Sequence, residues 1–125
     1  MQVHTLNRLE EWLVQAQTGH ITMDAFLASL MTVQIYVPTS TEVQQNGSGL
    51  HPLIYNRRGA DMLAVFTDMS RIGAERDKAA PYCLQVNAQW FVDHMTPDAG
   101  LILFGPPGYG CELMPDAVAR LRSAH

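Results

Sequence analysis

From Leu101 the chain reads "LILFGPPGYGCELMP", an apolar run followed by glycines at 105 and 110. That spacing is what a phosphate-binding loop requires. Its backbone amides cradle phosphates, a lysine after the last glycine reaches the β- and γ-phosphates, and a hydroxyl next to it holds Mg²⁺. Here the two positions after Gly110 hold Cys111 and Glu112. Cysteine supplies no positive charge, and glutamate would set a negative one beside the phosphates. No helix starts there to aim its positive end at an anion, since strand-like residues and then Pro115 follow. The segment is expected to be a turn between two strands, and the chain to bind no nucleotide. At the tip stand Pro106, Pro107 and Tyr109. The prolines stiffen the backbone, and the ring either folds back on the sheet or offers a contact to a partner.

The remaining reactive side chains form no set. His4, His20, His51, His94 and His125 never fall at metal-ligand spacing, and neither cysteine lies in a C-x-x-C pair, so no metal or other cofactor is expected. Cys83, in mid-strand, reads as a small core residue. Cys111 reads as a partly exposed thiol with no base beside it. Asp93 and His94 are neighbours on a helix and so point about 100° apart, as on a solvated face. A small enzyme or ligand-binding domain using Cys111, Glu112 or His94 is the alternative to a chain that does no chemistry.

These residues must be positioned by a fold of class α+β. Leu6, Leu9, Leu13 and Ala16 recur at helical spacing, predicting a helix over residues 4–17 that Gly19 ends. Thr22 can cap a second helix, Met23 to Met31. "VQIYV" reads as a strand stopping at Pro38, and residues 38–50 as a long polar loop. "LIYN" and "DMLAVFT" flank "RRGA", which predicts a hairpin. Thr67 or Asp68 can cap a short helix near Met69 to Gly73. "YCLQV" is a further strand, and Asn87 caps the helix "AQWFVDHM", of which Trp90 or Phe91 should enter the core. "GLILF" is a buried strand, "CELM" its antiparallel return, and Pro115 opens a last helix ending near Ser123. Two N-terminal helices, then a mixed sheet with interspersed short helices and a C-terminal helix, make one domain over residues 1–125.

Composition narrows the function classes. The chain has 125 residues, 47% of them hydrophobic and only 16% charged, with net charge −4. Charge so far below the usual quarter leaves much neutral surface, which favours contact with a partner. The longest basic run is the pair Arg57–Arg58, too little to neutralise phosphates, so nucleic acid is not expected as a partner. No apolar stretch is long enough to span a membrane, and Glu10 and Glu11 interrupt any secretion signal in the first twenty residues. Two free thiols in a cytoplasmic protein are the expected state.

The order of motifs from Leu6 to Leu121 resembles the N-terminal domain of the SseB family. The carriers are "IYVP" (Ile35–Pro38) after two helices, "MLAVFTDMSRI" (Met62–Ile72) and "GLILFGPPGYGCELMPDAVARL" (Gly100–Leu121). "FGPPG" departs from the family's usual Asn-Pro-Gly turn, and the second domain of longer members is not among these residues. The resemblance implies a cytoplasmic bacterial accessory protein with no catalytic residues to carry over. Together with the composition it points to a non-enzymatic protein-binding module, an immunity protein or an enzyme regulator. The expected contact surface is Phe104, Pro106, Pro107 and Tyr109, rimmed by Glu112 and Asp98.

Overall fold

The computed structural model describes residues 5–44, 50–73, 76, 78 and 80–122, and among these four helices of defined bounds lie on one face of a six-stranded mixed sheet. Helix α1 spans Arg8–Gln17, and the Asn7 side chain accepts the Glu10 N–H at its start. That cap begins the helix at Arg8 instead of residue 4, which lies outside the described residues. Leu6, expected on the apolar face, precedes the helix and is 44% exposed. Gly19, at φ +84°, follows the end of α1. Helix α2 (Met23–Leu30) is capped by Thr22 as its sequence predicts.

The strands are β1 (Gln34–Thr39), β2 (Ile54–Arg57), β3 (Ala60–Phe66), β4 (Tyr82–Asn87), β5 (Gly100–Phe104) and β6 (Gly110–Leu113). Their order is β4-β1-β3-β5-β6, with β2 paired to the first half of β3. Strands β3 and β5 run parallel, and every other pair is antiparallel. The β2–β3 hairpin turns through Arg58 and Gly59, both at positive φ, which is the two-residue type I′ pattern. Asp68, not Thr67, caps the short 3-10 turn Met69–Arg71. Asn87 caps helix α3 (Ala88–His94), and Pro115 opens helix α4 (Pro115–Leu121).

Two expectations about β1 and β4 need correcting. Strand β1 continues through Pro38 to Thr39, so the loop begins at Ser40; residues 45–49 of that loop lie outside the described residues. The Ala88 N–H donates to the Val33 carbonyl, so alternation along the ladder directs residues 33, 35, 37 and 39 of that segment toward β4. The place of the N–H that Pro38 lacks is on the opposite side, past the Tyr36–Phe66 pairing with β3. Cys83 is exposed, not a core residue. It lies on β4, at the end of the strand order, and points away from the face the helices cover.

Alternation assigns the two faces. Ile35, Val37, Leu63, Val65, Leu101, Leu103 and Leu113 join Leu9, Leu13, Phe26, Leu30, Phe91, Val92 and Val118 in one core under the helices. Phe91 is fully buried, and Trp90 packs at the margin of this core. On the other face Ala64, Phe66 and Ile72 form a second, smaller cluster with Tyr36, Leu53, Tyr55 and Phe104 around it. None of the four helices contributes to that second cluster.

Candidate functional site

The 105–110 segment is a turn between antiparallel strands, as its residue types predict: Leu103 pairs with Cys111 and Phe104 with Gly110. The Tyr109 N–H donates to the Pro106 carbonyl at 2.9 Å. With Pro107 second and Gly108 third at φ +86°, this has the residue pattern of a type II turn. Each glycine of the loop has a structural reason to be there. A Cβ on Gly105 would stand 2.5 Å from Leu13 Cδ2, and one on Gly110 would stand 2.9 Å from the Leu103 carbonyl oxygen. The Gly110 N–H, which a phosphate loop would turn to its ligand, donates to Gln17 Oε1 at 2.9 Å.

The six residues expected to form one contact surface are divided by the fold. Phe104 and Glu112 share the face opposite helices α1 to α4. Tyr109 is half-buried against the helix-side core. Pro106 is buried instead of standing at the tip, because the turn folds it inward, and Pro107 is the exposed proline. Asp98, at φ +69°, lies beyond the opposite end of β5. There it lines a surface cavity of about 350 Å³ with Ile54, Asp61 and Pro97.

Around Phe104 the structure assembles groups that local sequence does not join. The Phe104 ring stacks on Phe66 at 5.0 Å and meets Tyr55 at 5.8 Å. The Arg76 guanidinium lies 4.8 Å from the Phe104 ring centre and 5.5 Å from that of Phe66, while its Nε donates to the Tyr55 hydroxyl at 2.9 Å. Arg57 lies over the Tyr55 ring and reaches across the face to Glu112, Nε to Oε1 at 3.2 Å. The result is a mixed surface of aromatic rings, two arginines and a carboxylate. Such a surface can stack, hydrogen-bond and ion-pair with another protein. The alternation of β2 and β5 was the one available signal for Tyr55 and Phe104 sharing a face.

Cys111, Glu112 and His94 do not come together. Cys111 packs with the helix-side core, where burial and then the neighbouring Glu112 charge push its thiol up to about 11. Its proton is held at neutral pH, the reverse of an activated nucleophile. Glu112 points to the other face, to Arg57. His94 is on α3, stacked on Trp90 at 4.1 Å with Nδ1 2.8 Å from the Trp90 carbonyl oxygen. Among the described residues no group of three or more His, Cys, Asp or Glu could hold a metal ion. None of the described helices is long and apolar enough to cross a membrane.

The structure also holds a buried ionic network that local sequence does not reveal. Glu10 is fully buried and accepts from Arg71 Nε at 2.9 Å, Arg71 Nη2 at 2.8 Å, Thr67 Oγ1 at 2.5 Å and the Leu6 N–H at 2.9 Å. Burial, the largest influence, pushes its pKa up. The hydrogen bonds from Arg71, Thr67 and Leu6 and the Arg71 charge outweigh it, so the carboxyl lies below its ordinary value. Asn7 Nδ2 also donates to the Thr67 carbonyl at 2.9 Å. The network fastens the start of α1 to the end of β3. Glu10 falls between Leu9 and Leu13 on the inner side of α1, and that position was the only sequence clue to it.

The family model for the SseB protein N-terminal domain matches residues 9–120. The chain therefore belongs to the SseB family, and its match spans almost the whole sequence. No curated protein and no solved structure matches it.

Proposed function

We propose that this SseB-family chain is a non-enzymatic protein-binding module of the bacterial cytoplasm, an immunity protein that neutralises a toxin or a regulator of an enzyme. The observation that carries this reading is the mixed aromatic and charged surface on the sheet face away from the helices. Tyr55 and Phe104 supply ring area there, and Arg57 and Glu112 form an exposed ion pair beside them. Exposed pairs of this kind contribute little to the stability of their own chain. They can exchange for charges of a partner, and they steer its approach. The separation of Cys111, Glu112 and His94 supports this reading over a catalytic one.

The experiment is capture of partners from the native host, followed by binding measurements with the purified partner. Tyr55→Ala combined with Arg57→Glu should leave the circular dichroism spectrum unchanged and weaken the affinity at least tenfold, since it removes an aromatic anchor and reverses a charge. Undiminished affinity in a folded double variant would remove this face from the interface. A saturable thermal shift with a small metabolite, lost in Cys111→Ser, would favour the ligand-binding alternative.

A further inference from the structure

Two arginines meet Tyr55, and only one of them has a carboxylate. The Arg57 guanidinium lies 5.7 Å from the centre of the Tyr55 ring and pairs with Glu112. Arg76 meets the same side chain at its hydroxyl, to which its Nε donates at 2.9 Å. The Arg76 guanidinium rests on the rings of Phe104 and Phe66, and Nη1 donates to the Ile72 carbonyl at 3.3 Å. Among the described residues no carboxylate lies within ion-pair distance of Arg76.

Donors of two kinds are left over. A guanidinium has five N–H groups in a flat fork, and Arg76 uses its Nε hydrogen and one on Nη1. Both N–H groups of Nη2 are without an acceptor among the described residues. The Tyr55 hydroxyl accepts from Nε, and its own hydrogen likewise has no acceptor among them. In the fork, one Nη2 hydrogen lies on the same edge as the Nε hydrogen. That N–H and the Tyr55 O–H therefore border a single position beside the hydroxyl. Arg76, Tyr55 and Phe104 are each half-buried, so none of the three is closed off from solvent.

We infer that Arg76 Nη2 and the Tyr55 hydroxyl form a seat for one carboxylate, that of an aspartate or glutamate side chain on the partner protein. A carboxylate there accepts from both, and such charge-assisted bonds are about twice as strong as neutral ones. Charge selects the occupant. Glu112 already balances Arg57, so one guanidinium charge remains at the seat, and one negative charge matches it. A phosphate dianion would bring a second negative charge to a chain of net −4, with no further cation at the seat to balance it. The seat itself follows from the hydrogen bonds; the source of its carboxylate rests on the protein-binding reading.

The test follows the arginine Nε–H and tyrosine ring resonances of the full chain while sodium acetate is added at constant ionic strength. The Arg76 and Tyr55 signals should move together and saturate, while that of Arg120, exposed on α4, drifts without saturating. Tyr55→Phe keeps the ring and removes the hydroxyl, and should weaken acetate binding roughly three- to tenfold, the worth of one hydrogen bond. Inorganic phosphate should bind more weakly than acetate. Arg76 and Tyr55 signals that move no more than that of Arg120, or tighter binding of phosphate, would overturn the inference. A second arm uses the captured partner and Arg76→Lys, which keeps the charge and loses the fork. Its affinity should fall at least threefold with the circular dichroism spectrum unchanged. Parent-like affinity in Arg76→Lys, beside a weakened Tyr55→Ala/Arg57→Glu variant, would overturn the inference and leave the protein-binding face standing. Saturable acetate binding with parent-like partner affinity in that double variant would instead remove the face and keep the seat.

Discussion

Gly105 leaves the space that Leu13 fills. A Cβ at 105 would stand 2.5 Å from Leu13 Cδ2, and Leu13 is completely buried. The first glycine of the apparent phosphate loop is thus a packing residue, required by α1 above the end of β5. Gly105→Ala should destabilise the domain by about 1–3 kcal/mol, the usual cost of overfilling a tight core, read from chemical denaturation. Millimolar ATP with Mg²⁺ should leave the melting temperature unchanged. A nucleotide present at about 100 times its dissociation constant would add roughly 2.7 kcal/mol and be plainly visible.

The Glu10–Arg71 pair makes stability depend on acid. The carboxyl pKa is lowered in the folded state from 4.5, so the unfolded chain binds its proton first as pH falls. The stabilisation is therefore present above about pH 4.5 and is lost as pH drops through the lower folded value. Arg71→Ala should cost on the order of 3–5 kcal/mol at pH 7, because it leaves a buried carboxylate without its cation. The melting temperatures of parent and variant should converge in acid. A difference that stays constant from pH 7 to pH 3 would contradict the assignment.

Local patterns in the sequence were enough for most of the elements, because caps and strand runs are short-range signals. Thr22 and Asn87 each sit one residue before an apolar helix, and Pro115 can only open one. The run "GLILF" had to be buried on both faces. Sequence could not show the order of the strands, and that order decides which of them is an edge. Cys83 is exposed where a core position is expected, because "YCLQV" looks the same in the middle of a sheet as at its border. The Glu10–Arg71 pair joins residues 61 positions apart, with no local trace beyond a carboxylate on an apolar helix face. Of the expected contact surface, Phe104 and Glu112 remain on one face. Turn geometry buried Pro106 and the length of β5 separated Asp98.

The β2–β3 turn holds Arg58 at φ +53° next to Gly59 at φ +82°. Left-handed backbone costs a non-glycine residue on the order of 1 kcal/mol, and asparagine tolerates it best. Arg58→Asn creates the Asn-Gly pair that type I′ turns prefer and should stabilise the chain by about 0.5–1 kcal/mol. Gly59→Val should do the reverse, since a β-branched residue is strained at that φ. Thermal or urea denaturation of the two variants checks both signs.

The two thiols should differ in reactivity for reasons of position. Cys83 is exposed on the edge strand, while Cys111 is half-buried with its pKa raised from 9.0 to about 11. A thiol-reactive dye at pH 8 should label the folded protein at Cys83 first, and labelling in Cys83→Ser should be slow. The raised value also sets a stability trend in base. The unfolded thiol ionises near 9 while the folded one keeps its proton, so the contribution of Cys111 is complete below pH 9 and declines as pH rises toward 11. The decline should be on the order of 2 kcal/mol by pH 11, and Cys111→Ala should lack it. Alkaline unfolding curves of parent and variant that run parallel, or fast labelling of Cys111 at pH 8, would place that side chain in water instead of against the core.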